Sequence, residues 1–246
     1  MGRLLKTISV SYSATGPVRN INQDSLFASD VDHVYIIADG VGGLKDGKTA
    51  SQIAVQKMFA HIKLNSSLED YYAHMLRATI LTNQHVYEYA QSKGADHKMG
   101  TTLTALMLID DQYYLSHIGD SRCYLLRQNN LVQLTEDQTL KEHLKKMSNE
   151  HSSGFLDSKK HILTQAVGTS DTCTPLIYQG AVNPQDLFLL CTDGFYNLFS
   201  DSELERELAD SQRDLSFLEK KFSAASSDER CNDNISFIFV KINTRT

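Results

Sequence analysis

The chain has only three prolines and no Gly/Ser-rich stretch in 246 residues. Nothing along it reads as a linker between domains, and no internal repeat suggests a solenoid. A run of eighteen apolar residues is also missing, so no transmembrane helix is expected. The opening "MGRLLKTISVSYSATG" lacks the apolar core and small-residue cleavage site of a secretory signal. Lys6 stands where a myristoylation signal needs Ser or Thr. The four cysteines, Cys123, Cys173, Cys191 and Cys231, lie far apart, and no pair has zinc-knuckle spacing. Reduced thiols and a cytoplasmic location are the expectation. Basic excess is absent too. The net charge of -6, with no basic block, gives no reason to expect nucleic acid or a membrane surface as partner.

What is present is ordinary globular material, 41% hydrophobic and 22% charged, long enough to bury a sizeable core. "ISVSYS" (8–13) and "SLFAS" (25–29) read as short strands, and "HVYIIAD" as a buried one. From Lys48 to Ile62, residues Ala50, Ile53, Ala54, Met58 and Ile62 share one helical face. A second helix is expected over about 68–93, with Leu76, Ile80, Val86 and Tyr87 at roughly helical spacing. Four strand-like runs follow, "TTLTALMLI", "QYYLSHIG", "SRCYLLRQ" and "LVQLT", with turns at Asp110-Asp111 and Gln128-Asn129-Asn130. Residues 136–160 are polar and weakly helical and read as a surface flap. "PLIYQGAV" and "DLFLLCTD" read as a hairpin-like pair. Helices are expected near 201–209 and 214–226, and "NISFIFVKI" is a last strand. This order suggests antiparallel sheets covered by helices, not a βαβ repeat.

Acids recur at the ends of these apolar runs. "IIADG" ends in Asp39-Gly40 and "FLLCTDG" in Asp193-Gly194. Asp24 lies in "RNINQDSLF", Asp120 in "HIGDSRCYLL" and Asp233 in "CNDNISFIF". An isolated buried carboxylate is very costly, so each needs a cation, a donor or water. Arg19 and Arg122 are the main nearby basic residues. Carboxylates in excess of matching cations suit a hard divalent cation such as Mg²⁺ or Mn²⁺, which prefers oxygen ligands. Four or five acids are enough for two ions roughly 3.5–4 Å apart. Gly40 then lets the backbone approach closely.

Each residue also has a plainer reading. Asp24 could cap a helix or turn, Asp39 and Asp193 could form turns before glycine, and Asp233 could cap a loop. Asp120 could be a hairpin acid paired with Arg122, and Arg19 a surface ion-pair partner. His117, on an apolar strand, reads as a hydrogen-bonded core histidine. Thr101 and Thr102 read as structural strand residues.

At these residues the chain resembles the metal-dependent serine/threonine protein phosphatases of type 2C, in their bacterial form. Eight elements occur in the family's order over about residues 7–242: "RNINQDS", "ADGVGG", "GTTLTAL", "HIGDSRCYLL", "QLTEDQ", "LTQAVG", "DLFLLCTDGF" and "DNISFIFV". The resemblance implies an α+β fold of two packed, mainly antiparallel sheets with helices on both outer faces. It implies one catalytic domain over 1–246, with a flap at about 139–162. Asp39 would bridge two Mn²⁺ or Mg²⁺ ions, the Gly40 carbonyl would bind the second, and Asp193 and Asp233 would hold the first. Asp24 would orient metal-bound water, and Asp120 would help bind a third ion, as in bacterial members. Arg19 would grip the substrate phosphate. The implied reaction is hydrolysis of phosphoserine or phosphothreonine by in-line attack of a metal-bridging hydroxide. Phosphorylated proteins would be the substrates, a serine/threonine kinase the counterpart, and the chain a monomer.

Three departures stand out. Val41 replaces the His that many eukaryotic members carry after Asp-Gly. Gln23 stands where many have Glu. Gln138 replaces a common His and is expected to matter little, lying toward the flap. Two other classes fit the same residues: a catalytically weak phosphoprotein-binding relative, and a hydrolase of small phosphoesters.

Overall fold

A computed structural model describes residues 6–41, 46–64, 70–94, 97–147, 162–210 and 214–243. Its strands form two antiparallel five-stranded sheets. The first has the order β1 (Thr7–Ala14), β10 (Ile235–Ile242), β9 (Leu187–Cys191), β6 (Arg122–Arg127) and β7 (Asn130–Gln133). The second has the order β2 (Ser25–Ser29), β3 (Val34–Ala38), β4 (Leu103–Ile109), β5 (Gln112–Ile118) and β8 (Leu176–Ala181). Two long helices, α1 (Gly47–Lys63) and α2 (Tyr71–Ser92), cover the second sheet. On the first sheet lie α5 (Asp201–Asp210) and α6 (Leu215–Ser223). Among the described residues there are also two shorter helices, α3 (Leu140–Met147) and α4 (Asp193–Tyr196), and a 3-10 turn at Ala224–Ser227.

The alternation of side chains along each central strand explains the layering. In β3, Val34, Ile36 and Ala38 face α1 and α2, while Tyr35 and Ile37 enter the layer between the sheets. In β9, Leu187, Leu189 and Cys191 face α5 and α6, while Phe188 and Leu190 point to the other sheet. In β10, Phe237 and Phe239 face the helices, and Ile238 and Val240 the opposite sheet. Both faces are buried, so these strands read as continuous apolar runs rather than alternating ones. Each fully buried Leu, Ile or Phe contributes roughly 1.5–3 kcal/mol of transfer free energy.

The expected turns form where written. Asp110 has φ 52°, and Gln128 and Asn129 have φ 51° and 64°, the left-handed pair that a two-residue hairpin needs. The four central strands do not form one meander. β4–β5 is a hairpin of the second sheet and β6–β7 a hairpin of the first. The segment Gly119-Asp120-Ser121 carries the chain from one sheet to the other. Gly119 has φ 104°, and a Cβ there would sit 2.6 Å from Thr102 Cγ2, so only glycine fits.

The expected hairpin of "PLIYQGAV" and "DLFLLCTD" is not formed. β8 pairs with β5, and β9 lies between β10 and β6 in the other sheet. Residues 182–186 make this second crossing. Val182 N–H donates to Asp111 O, and Arg127 grips buried Asp186 through Nε at 3.0 Å and a terminal nitrogen at 2.7 Å. Short-range pattern showed two strands and a turn, but not which neighbours they would choose.

α2 spans Tyr71–Ser92, capped by Asp70, which accepts from Ala73 N–H at 3.0 Å. Of the four apolar residues at helical spacing, only Val86 is buried. Ile80 is exposed, Leu76 and Tyr87 are half-buried, and the face toward α1 and the sheet is His74, Met75, Ala78, Thr79, Thr82, Asn83 and Val86. The threonines can enter the core because Thr79 and Thr82 return their hydroxyls to Met75 O and Ala78 O, four residues back. The expected flap is described only as far as α3 and from 162 onward; residues 148–161 lie outside the described residues. None of the cysteines is joined to another. No helix among the described residues is long and apolar enough to cross a membrane.

The second crossing generates a stability prediction. Arg127→Ala leaves Asp186, only 1% exposed, with its carboxylate facing a lost cation. A loss of about 2–3 kcal/mol is expected, below the full cost of breaking a buried pair because Arg127 is itself 35% exposed. Adding Asp186→Asn should recover part of it. Urea unfolding with an unchanged m-value is the measurement, and a loss under about 0.5 kcal/mol would show the crossing to be held by other contacts.

Candidate active site

β3 and β9 end side by side, and each ends in Asp-Gly. Asp39 is fixed through its backbone. Its N–H donates to Thr102 Oγ1 at 2.8 Å, and its carbonyl accepts from Thr102 N–H and Thr101 Oγ1, both at 2.8 Å. Gly40 is buried where three segments meet. Its N–H donates to Gln23 O, and an added Cβ would lie 2.4 Å from Gly47 O. The close approach expected of Gly40 is thus to the start of α1 and to the Gln23 loop. Gly194 has the same role on the other sheet, where a Cβ would lie 1.9 Å from Asn234 O. Both glycines follow their aspartates because neighbouring backbone occupies the space a side chain would need.

Asn234 organises the third strand end. Its Oδ1 accepts from Gln23 N–H at 2.8 Å, and its Nδ2 donates to Thr15 O and Ile21 O at 2.9 and 3.0 Å. These bonds pin the loop that carries Arg19 against the start of β10. Arg19 donates to Asp233 Oδ2 at 2.7 Å, and Asn234 N–H donates to Asp233 Oδ1 at 2.8 Å. The plainer reading of Arg19 as an ion-pair partner is therefore realised, with an acid of the cluster as its partner.

Asp39, Asp120, Asp193, Asp233 and Arg19 line one open cavity of about 720 Å³. Among its described lining residues Arg19 is the one cation. Residues 162–166, which follow the flap, form another wall. Asp24 is not on this surface. It is buried at the edge of the layer between the sheets, where Oδ2 accepts from Ser236 Oγ at 2.6 Å and Thr192 Oγ1 at 3.0 Å. Its other oxygen, Oδ1, is buried with no hydrogen-bond partner. Asp24 caps no helix.

Arg122 does not answer Asp120. It donates to both oxygens of Asp137, at 2.7 to 3.2 Å, and to Tyr124 Oη, and it lies 3.7 Å above the Tyr196 ring. Asp120 is left facing the cavity. His117 is the core histidine expected: its ring nitrogens meet Thr104 Oγ1 at 3.0 Å and Glu136 O at 3.1 Å, and burial pushes its pKa down to about 4. Gln138 matters more than expected. Its Oε1 accepts from Gly119 N–H at 2.9 Å, and its carbonyl accepts from Thr164 N–H at 2.8 Å. It ties the Asp120 crossing to the segment that returns from the flap.

The electrostatics follow from crowding. Burial raises the Asp39 pKa well above the usual carboxylate range, and the charges of Asp24, Asp193, Asp120 and Asp233 raise it further. Burial likewise raises Asp120, with Asp193 and Asp137 adding to it. Asp24 is pushed up to about 7 by burial, against the lowering effect of the Ser236 and Thr192 hydroxyls, with Asp193 and Asp233 raising it again. Hydrogen bonding and charge from Asp233 raise Arg19. Among the described residues no three Asp, Glu, His or Cys side chains close around a point by themselves. Arg19 draws Asp233 and the two hydroxyls draw Asp24. The set is nonetheless all hard oxygen donors that repel one another, and the Asp24 oxygen lacks a partner. That chemistry fits hard divalent cations that keep some of their waters.

Residues 18–234 match the family described as Protein phosphatase 2C. The chain belongs to the protein phosphatase 2C family. It is 30% identical to the serine/threonine phosphatase stp of Listeria welshimeri over 93% of both chains. It is 32% identical to the protein phosphatase PhpP of Streptococcus pneumoniae over 85% of this chain and 86% of that one. Among solved structures it resembles the catalytic domain of the serine/threonine protein phosphatase PstP in complex with two manganese ions, with a TM-score of 0.83 and 26% identity over 98% of this chain and all of the other.

Thr102, expected as a structural strand residue, positions Asp39, and Asn234, Ser236 and Thr192 are positioning residues of this phosphatase 2C member that pattern reading missed. The one available signal was polarity inside otherwise apolar runs.

Crowding makes a pH prediction for the metal-free protein. An acid whose folded pKa is raised contributes stability at low pH that is lost as pH rises above the unfolded value near 4. Asp39→Asn keeps the neutral state at every pH. The variant and the parent should be similarly stable near pH 4.5, and the variant should gain on the parent as pH rises toward 8. Taking the difference cancels the opposite trend from His117. Calorimetry in chelator at several pH values is the check; a variant less stable by several kcal/mol throughout would make Asp39 a structural partner.

Proposed function

We propose that this chain is a metal-dependent protein serine/threonine phosphatase, with Asp39, Gly40, Asp193 and Asp233 as the ligands of two Mn²⁺ or Mg²⁺ ions. The observation that carries the reading is the placement of Asp39, Asp120, Asp193 and Asp233 on one cavity whose described lining includes a single cation, Arg19. Ions held there lower the pKa of water and neutralise charge on a phosphoryl group.

The chain's own residues then have distinct tasks. Asp39, anchored by Thr101 and Thr102, would serve both ions. Asp193 and Asp233 would hold the first, and the Gly40 carbonyl the second. Asp120, set at the crossing between sheets, would contribute to a third ion. Asp24, held by Ser236 and Thr192, would accept from water on its remaining oxygen and so orient it. Arg19 offers its planar fork to the substrate phosphate. Val41 lines the cavity and cannot donate a proton, so the leaving alkoxide would take its proton from water or from another group.

We read residues 1–246 as one catalytic domain, acting as a monomer in the cytoplasm on proteins phosphorylated by a serine/threonine kinase. The names of the Listeria and Streptococcus relatives support its protein phosphatase part.

Activity on a phosphothreonine peptide should vanish with a chelator and return with Mn²⁺ or Mg²⁺. A phosphotyrosine peptide and a phosphodiester should be poor substrates. Full turnover after exhaustive metal removal would sink the two-metal reading, and preference for the diester would favour a small-phosphoester hydrolase.

Arg19→Ala should lower kcat/KM about ten- to a hundredfold, because one charge-assisted contact is worth roughly 1.5–3 kcal/mol. Most of the loss should appear in KM. Arg19→Lys should recover only part. Mn²⁺ affinity should not weaken, since the guanidinium competes for Asp233 instead of binding the ion. Steady-state kinetics with a parallel Mn²⁺ titration decides this; unchanged kinetics would leave Arg19 as no more than a partner of Asp233.

A further inference from the structure

We propose that His61 of α1 and His85 of α2 form a second metal site, for a borderline transition ion such as Zn²⁺, that staples the end of α1 to the middle of α2. The pair lies outside the oxygen-lined cavity and shares no residue with it.

The two imidazole rings are 5.1 Å apart between centroids and inclined at 52°. With metal–nitrogen bonds of about 2.0–2.1 Å at a tetrahedral angle, two coordinating rings have centroids about 5 Å apart. The observed spacing admits such an ion, but it also lies within the roughly 4.5–7 Å of ordinary ring contacts, so the ion is inferred from the ring nitrogens.

The nitrogens are prepared for the role. His85 Nδ1 lies 2.8 Å from Leu81 O. A carbonyl can only accept, so Nδ1 carries the proton and Nε2 carries the lone pair. Metal-binding histidines are oriented by the same kind of bond. His61 Nε2 is buried and has no hydrogen-bond partner. A buried ring nitrogen without a partner is costly, and an ion between the helices satisfies it. Burial chiefly, with His85 and Lys57, lowers the pKa of His61, so protons compete weakly for it at neutral pH, while the Lys57 charge also opposes a divalent ion and keeps the affinity modest.

Imidazole suits Zn²⁺, Co²⁺, Ni²⁺ and Cu²⁺, whereas Mg²⁺ and Mn²⁺ prefer the oxygen set of the cavity. The imidazole pair is therefore distinguished by disfavouring Mg²⁺ and Mn²⁺, while the oxygen set accepts Zn²⁺ as well. Two protein ligands leave the remaining positions to water. The site would be of modest affinity and closed only by the packing of α1 on α2, which does not change when the ion binds. Its effect is to add a cross-link between helices already in contact.

The test titrates Zn²⁺ into the intact chain by calorimetry, for the parent, His61→Ala and His85→Ala, with Co²⁺ absorption as a second readout. Beyond the Zn²⁺ taken by the carboxylate cavity, the parent should bind one Zn²⁺ that each variant loses or binds at least tenfold more weakly. Zn²⁺ should raise the Tm of the parent by more than that of either variant. Mn²⁺-supported turnover should be the same in all three, so failure here is separable from failure of the phosphatase reading. Should His85→Ala disturb α2 through its lost bond to Leu81, His61→Gln carries the comparison. Equal Zn²⁺ stoichiometry and affinity in parent and variants would overturn the proposal.

Discussion

Five carboxylates that repel one another are held at one end of two packed sheets, and most of the local structure exists to keep them there. Asp39, Asp120 and Asp24 are buried deeply enough that burial itself raises their pKa values. A fold would shed such a group by turning it to solvent unless its backbone were fixed. Here it is fixed at every point. Thr101 and Thr102 bind the backbone of Asp39, Gly119 packs on Thr102 beside Asp120, and Asn234 ties the loop of Arg19 to the strand after Asp233.

The central strands make this rigidity affordable. They are buried on both faces, so their ends cannot drift without opening one of three apolar layers. The glycines after Asp39 and Asp193 then matter as packing devices. Each lets backbone from a different segment come within the volume of a missing Cβ. An alanine at Gly194 would overlap Asn234 O and push Asp233 away from Asp193, so the acids are spaced by main-chain contact and not by side-chain choice alone.

Much of this was legible in the residues. Strand runs, both long helices and the turns at Asp110 and Gln128-Asn129 follow from period and turn chemistry. The acids at strand ends were visible because Asp-Gly interrupts an apolar run twice. Partner choice was not legible. β8 and β9 look like a hairpin because only five residues separate them, yet long-range pairing with β5 and β10 wins. The inward face of α2 was legible only at Val86 because Thr79, Thr82 and Asn83 are polar by composition. They become core residues only once Met75 O, Ala78 O and Ser170 O are there to receive their donors. The plainer pairing of Asp120 with Arg122 is not the one formed, because Arg122 is taken by both oxygens of Asp137, from the segment after β7.

The same geometry explains why Arg19 can serve two partners. Its guanidinium is about half exposed and bound to Asp233 through one nitrogen, so the pairing is weak by the standards of a buried bridge. An ion at Asp233 supplies more positive charge at shorter range and removes the reason for Arg19 to stay. Under the proposed function, the freed fork would then face a cavity whose carboxylates the ions had neutralised. Phosphate binding by Arg19 would in this way be contingent on metal loading, because without an ion the acid beside it is the stronger attraction and an incoming phosphate would meet only carboxylates.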